Sequence, residues 1–394
     1  MKVAIVKERR AHERRVAASP DTVRRMVGMG LEVAAESGAG DAAHFNDAAF
    51  AAAGAAIAAD AETALAGADI VLKVQRPLLG DEGGGIDELQ QVKRGAVLIG
   101  LLQPAQNPGD IEAYARAGIL AFAMELVPRI TRAQAMDVLS SQANLAGYKA
   151  VIDAAAEFGR AFPMMMTAAG TIKAARVLVM GAGVAGLQAI ATARRLGAIV
   201  SATDVRAAAK EQVESLGATF ITVDEAAART AETAGGYARE MGEDYQRRQR
   251  ERMTEALKRT DIAICTALIP GRKAPVLLTS EMVAELAPGS VIVDLAIEAG
   301  GNVEGSRPEE VVTTPNGVNI IAPLNMPSRI AADASQLYAR NVLSFLTLLV
   351  DKDKSLKIDT ADEIIKATLL TENGAVVNPA LAPSVVADAA VATG

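Results

Sequence analysis

The chain holds no tryptophan, one cysteine and two histidines in 394 residues, and aromatic residues make up only 3% of it. Each shortage excludes something. Cys265 alone cannot build a disulfide framework, and no Cys/His cluster suggests zinc or another bound metal. With aromatics so scarce, the core has to be packed from Ala, Val, Leu, Ile and Met. No apolar run reaches the roughly 18 residues that a membrane helix needs. The run from Val342 to Val350 is too short, and Asp351-Lys352-Asp353-Lys354 follows it. Long basic blocks are missing too, and the formal charge is -7. Nucleic acid and direct contact with an anionic membrane are therefore disfavoured. The opening MKVAIVKERR reads as a strand followed by charge, not as a secretory leader. A cytoplasmic protein with no membrane span of its own is expected.

What is present centres on VLVMGAGVAGLQAIATARRLGAIVSATDVR, from Val177 to Arg206. An apolar strand runs into Gly181, Gly183 and Gly186; a helix follows, then a second apolar strand that ends on Asp204. In this pattern the first glycine permits the tight turn, the second leaves room for a pyrophosphate, and the third lets helix and strand pack closely. The helix opening at Val184 and Ala185 offers unpaired N–H groups and a positive dipole end to the phosphates. Asp204 is placed to accept hydrogen bonds from the adenosine ribose hydroxyls. A carboxylate there repels a 2′-phosphate, so NAD(H) is favoured over NADP(H). Val205 and Arg206 follow it, and Arg206 is close enough to soften that repulsion.

The length suggests two domains. VAIVKE, Leu31–Glu36, Ala68–Val74, Ala96–Leu101 and Ile119–Met124 read as strands. They alternate with helices opened by Ser19-Pro20 and by an alanine-rich run from Ala48 to Ala59. This is an α/β domain over residues 1–138, completed by about 328–394, with no phosphate fingerprint of its own. A connecting helix over 139–165, helical from about Ser141 to Phe158, leads to a nucleotide domain at 166–327. Its further strands are Thr219–Val223, Ile262–Thr266, Ser290–Leu295 and Val318–Ala322. A helix from about Ile330 to Leu349 returns the chain, and the tail from Asn378 reads as frayed. The expected fold class is α/β: two Rossmann-like domains with mainly parallel sheets, separated by a cleft. Between Asp224 and Lys258 a polar excursion carries Gly235, Gly236 and Tyr237. It reads either as a mobile flap over the nucleotide or as a surface excursion ending in a solvated helix.

Oxidising a simple hydroxy or amino acid moves a proton as well as a hydride, and histidine usually carries it. His12 lies in the charged run KERRAHERR and His44 in a polar turn; both read as exposed surface. The polar segment that does look functional runs from Pro128 through Arg129, Gln134, Asp137 and Ser140. Its donors and acceptors suit a nicotinamide carboxamide, and it offers no evident base; the other reading is a helix start capped by Asp137 or Ser140. Lys73 and Arg15 fall near strand ends, where an anion site and ordinary surface ion pairs are equally open.

PRITRAQAMDVLSSQANLAGY, FPMMMTAAGTIKAARVLVMGAGVAGLQAIATARRLGA, ATDVR, TAETAGGYAREMGE, TALIPGRKAPVL and GSVIVDLAIEAGGN occur in that order. Together they resemble the soluble NAD(H)-binding alpha component of the proton-translocating nicotinamide nucleotide transhydrogenases, from Met1 to about Lys352. The resemblance implies hydride transfer from NADH to NADP+ on a partner component, coupled to proton movement through a membrane component. It implies a homodimer docked on membrane-spanning partners at the inner membrane, with the anchor either a separate chain or removed. Of the site residues, Arg129, Gln134, Asp137 and Ser140 match the family's loop that presents NADH to the partner's nicotinamide. Asp204 matches its ribose ligand, and Tyr237 the tip of its closing loop. The same fold is similar to alanine dehydrogenase, the alternative. That family's substrate-binding Arg and Lys match Arg15 and Lys73, but its catalytic His falls at Gln103 and its late Asp at Glu298. An amide at Gln103 cannot move a proton near neutrality, which counts against amino-acid oxidation.

Overall fold

The computed structural model describes residues 1–80, 82, 87–222, 243–269, 272–379 and 381. The chain forms two compact units, Met1–Gln142 with Ser328–Gly394, and Ala143–Pro327. Strands β1 to β6 are Lys2–Ile5, Glu32–Glu36, Ala56–Ala58, Ile70–Gln75, Val97–Leu101 and Leu120–Ala123. Strands β7 to β15 are Met165–Thr167, Gly170–Ile172, Arg176–Met180, Ile199–Thr203, Thr219–Phe220, Ile262–Cys265, Val291–Asp294, Val311–Thr313 and Asn319–Ile321. Leu369–Glu372 and Ala375–Val376 are β16 and β17.

The first unit carries one sheet in the order β17-β16-β6-β5-β4-β1-β2-β3. From β6 to β3 every pairing is parallel; β16 joins β6 and β17 antiparallel. Both faces of this sheet are covered, which is why its strands are near-continuous apolar runs. Alternation divides them: Val3 and Ile5 join one core cluster, Ala4 and Val6 the other. Within this unit Phe122 and Phe345 meet edge to face at 5.5 Å, and Tyr114 and Tyr338 are fully buried. Ser19 caps the helix Pro20–Gly28 in a reciprocal capping box with Thr22, as its Ser-Pro start predicts.

The expected alanine-rich helix from Ala48 to Ala59 is cut short. It runs Asp47–Ala52, capped by Asn46. The chain then turns at Gly54, φ +102°, and Ala56–Ala58 pairs with β2 instead. Alanine's helix propensity is worth only tenths of a kcal/mol per residue over most alternatives, less than the sheet edge offers. The expected frayed end is also revised at its first residue: Asn378 is buried, and its amide donates to the carbonyls of Ala367 and Leu369 at 3.0 Å each.

The second unit's sheet runs β11-β10-β9-β12-β13-β15-β14, parallel except for the pair β14/β15. Chain order reverses at β9, because β10 lies on one side of it and β12 on the other. In open α/β sheets that reversal point is where ligands bind, beyond the carboxyl ends of the strands. The helix expected over 139–165 runs Val138–Glu157 and ends there; the chain passes from one unit to the other within it. Beyond it, β7 and β8 form a separate antiparallel hairpin, exposed along its whole length.

Candidate functional site

The glycine-rich turn sits at the reversal point of the second unit, between β9 and the helix Val184–Arg195. Gly181 has φ +100°, and a Cβ there would lie 2.7 Å from the Thr266 hydroxyl. A Cβ on Gly186 would lie 1.8 Å from the Gly181 carbonyl oxygen, so helix and turn touch backbone to backbone. Gly183 differs: an added Cβ would meet nothing within 4 Å. It is the helix N-cap and supplies no side-chain bond, leaving the first-turn amides of Val184, Ala185 and Gly186 for a ligand. Open space over Gly183, with close contact under Gly181 and Gly186, is the shape a pyrophosphate requires.

Residues that sequence reasoning missed fix this turn. The Thr266 hydroxyl, just after β12, donates to Gly181 O at 2.9 Å. Asn302 is fully buried and binds Ala267 through both its carbonyl and its amide N–H, at 3.0 and 2.9 Å. Gly147 lets the crossing helix meet the nucleotide helix, since a Cβ there would be 2.0 Å from Ala185 O. Each comes from a distant stretch of chain, and no local pattern marks it. Asp294 is buried and accepts from the Ala296, Asn302 and Val303 amides and the Ser306 hydroxyl. Its carboxylate is therefore structural. Burial raises the Cys265 thiol well above the usual range, which leaves it unreactive.

Asp204 follows β10 as expected, and its carboxylate accepts from Ala182 N at 2.7 Å and Arg206 N at 2.9 Å. Arg206 also closes on it with Nε and Nη2, both at 2.9 Å. Val205 lies between them, half-buried. Tyr237, with Gly235 and Gly236, lies outside the described residues.

Arg129, Gln134, Asp137 and Ser140 belong to the first unit. Thr131–Met136 is a 3-10 helix, whose three-residue period brings Ala133 and Met136 to the buried side, with Ile130 packed against the same core. Gln134 is thereby turned outward, and Arg129 is exposed with it. Asp137 accepts from Ser140 N at 2.9 Å and from the Ser140 hydroxyl at 2.5 Å. Asp137 therefore caps the helix Val138–Glu157 while lying on the same polar face. Asn341 ties the middle of the segment to the helix start, donating to Ala135 O at 2.8 Å and accepting from the Ser141 hydroxyl at 2.8 Å. Arg132 pairs with both oxygens of Asp362, at 2.7 and 3.0 Å.

Lys73 and Arg15 correct the surface ion-pair expectation, because both are buried. Lys73 Nζ lies 3.0 Å from each Glu88 oxygen and 3.3 Å from Glu8. Glu8 is held in turn by Val74 N at 2.6 Å. Burial pushes the Glu8 carboxyl up, with Lys73 opposing the shift. Arg15 pairs with Glu13 at 2.6 Å and donates to Gln142 at 2.8 Å. The chain order of the first sheet also reverses, at β1. There the chain's own carboxylates meet these cations, where a nucleotide domain has its glycine loop. Gln103, just beyond β5, is exposed with φ +50°, and His12, His44 and Glu298 are exposed too.

Residues 150–379 match the family described as alanine dehydrogenase/PNT, C-terminal domain, and residues 4–146 its N-terminal domain. Over 382 residues the chain is 60% identical to the first part of the NAD(P) transhydrogenase alpha subunit of Rhodospirillum rubrum, covering 97% of this chain and 99% of that one. The chain belongs to the NAD(P) transhydrogenase alpha-subunit family, within the alanine dehydrogenase/PNT superfamily. The solved transhydrogenase from Sinorhizobium meliloti superposes with a TM-score of 0.86 at 51% identity, over 96% of this chain and 100% of that one. L-alanine dehydrogenase shares the fold more distantly, with TM-score 0.81 and 26% identity, over 98% of this chain and 99% of that one. As a member of this family the chain has the capacity to bind a nicotinamide nucleotide. No described helix is long and apolar enough to cross a membrane, and no described group of acidic, His and Cys side chains suits a metal ion.

Proposed function

We propose that this chain is the NAD(H)-binding component of a proton-translocating transhydrogenase. It presents NADH for hydride transfer to NADP+ held by a partner component. Gly181, Gly183, Val184, Ala185 and Gly186 receive the pyrophosphate, and Asp204 takes the adenosine ribose, with Val205 and Arg206 beside it. Arg129, Asp137 and Ser140 hold the nicotinamide end. Gln134 reaches toward the partner's nucleotide, and Tyr237 belongs to a segment closing over the bound molecule. A bound reduced nicotinamide supplies a hydride, and the accepting nicotinamide takes it without any substrate oxygen needing a proton.

One observation favours this chemistry over alanine oxidation. The two cations that would grip a substrate carboxylate, Lys73 and Arg15, are buried against Glu8, Glu88 and Glu13. Gln103 is an amide and takes up no proton, and the carboxylate near that strand end, Glu125, accepts from the backbone N–H groups of Leu102 and Gln103. Side chains that only bind and orient suffice when carbon passes hydride to carbon at roughly 3–3.5 Å. The exposed apolar hairpin β7/β8 supports a homodimer, with Met164 63% and Met166 79% exposed. Attachment to the inner membrane then falls to the NADP(H)-binding and membrane-spanning partners.

Gln134→Asn tests the assignment. It keeps the amide and shortens its reach. NADH affinity is expected to stay within about twofold, while single-turnover hydride transfer in the reconstituted complex falls by about tenfold or more. A wild-type transfer rate, with NADH binding and docking intact, would remove Gln134 from the mechanism.

A further inference from the structure

We propose that Arg206 competes with the ribose for Asp204 and thereby sets how sharply the site separates NADH from NADPH. This rests on the nucleotide-binding role assigned above and deepens it. An ionised carboxylate offers about four acceptor positions. On Asp204, Oδ1 accepts from Arg206 N and Nε, and Oδ2 from Ala182 N and Arg206 Nη2. Its side chain is 6% exposed and that of Arg206 18%. Of the two backbone donors, Ala182 N ties the end of β10 to the glycine turn and Arg206 N closes a local turn after it; both belong to the fold. The two guanidinium donors are the ones a ribose diol can replace.

Two consequences follow, one for each nucleotide. To bond Asp204, NADH has to displace a two-point, charge-assisted contact, so Arg206 weakens NADH. A 2′-phosphate meets a carboxylate already neutralised by a cation on a tether of two residues, so Arg206 strengthens NADPH. Arg206 narrows the selectivity from both sides. Asp204 alone would discriminate more strongly than Asp204 and Arg206 together.

NADH and NADPH are titrated separately, by equilibrium dialysis, into wild type, R206A, R206K, D204N and the double variant D204N/R206A. Thermal melting checks each fold. R206A is expected to bind NADH about threefold to tenfold tighter and NADPH about tenfold weaker. R206K keeps the charge without the planar fork and should fall between. In D204N/R206A, relative to D204N, the gain for NADH should vanish while the loss for NADPH remains. Equal weakening of both nucleotides in R206A would make Arg206 an ordinary ligand of the shared dinucleotide and overturn the proposal. So would an unchanged ratio, or a gain for NADH that persists without Asp204. A wild type that binds no NADH, or prefers NADPH, overturns the NAD(H) reading as well; the failures are thus distinguishable.

Discussion

Gly183 and Gly186 look alike in sequence and do opposite work. Above Gly183 there is open space, whereas a Cβ added to Gly186 would sit 1.8 Å from the Gly181 carbonyl oxygen. Gly183→Ala should therefore melt close to wild type yet bind NADH at least about tenfold more weakly, since the methyl fills the pyrophosphate's place. Gly186→Ala should lose stability outright, by roughly 3 kcal/mol, because backbone cannot move aside as a side chain does. Denaturant unfolding and nucleotide titration of both variants separate the two effects; equal stability would contradict the packing role of Gly186. These glycines were legible in sequence because their spacing is written within one short turn. The pairing of Lys73 and Arg15 with Glu8, Glu88 and Glu13 was not, since partners such as Glu88 arrive from another part of the chain.

At the scale of the element, the segment bearing Gln134 is held in place by contacts from outside itself. Its period of three buries Ala133 and Met136, and Asn341 ties Ala135 to Ser141 from the helix Ala331–Leu349. Asn341→Ala removes both ties without touching Arg129, Gln134, Asp137 or Ser140. We expect NADH affinity to hold within about threefold while single-turnover transfer slows by about tenfold, the signature of lost positioning. Asn341→Asp keeps the acceptor for Ser141 and should recover part of the rate. A full rate in Asn341→Ala would show that core packing alone holds the segment. The polar set was legible as a capped helix start and as a site, and Asp137 serves the cap. The 3-10 turn before it was not legible, because it depends on the packing of Ile130, Ala133 and Met136 against that core.

At the scale of the whole molecule, the hairpin β7/β8 follows the connecting helix as an element that the sequence did not announce. Met164, Met165, Met166 and Ile172 are 63%, 40%, 79% and 40% exposed. A second copy of the chain is the proposed occupant of this surface. Met166→Asp should weaken self-association by about tenfold or more in sedimentation equilibrium, with each chain still folded and NADH still bound. Undiminished association would place the homodimer contact elsewhere.

The sequence by itself determined the alternation of strands and helices, the two-part organisation, the nucleotide turn and the acid that closes it. Each of these is written in short stretches: apolar runs, a glycine spacing, a cap. Only the tertiary structure decided that the alanine run after Asn46 divides into helix and sheet edge, and that Lys73 and Arg15 lie inside. It also decided that Thr266, Asn302 and Gly147 brace the turn, and that Arg206 closes on Asp204. The physical reason is common to most of them. Except for Arg206, they join residues far apart in the chain, whose meeting depends on how the sheets and helices pack. Arg206 and Asp204 are neighbours, but the direction of a long side chain is set by the burial and charge around it.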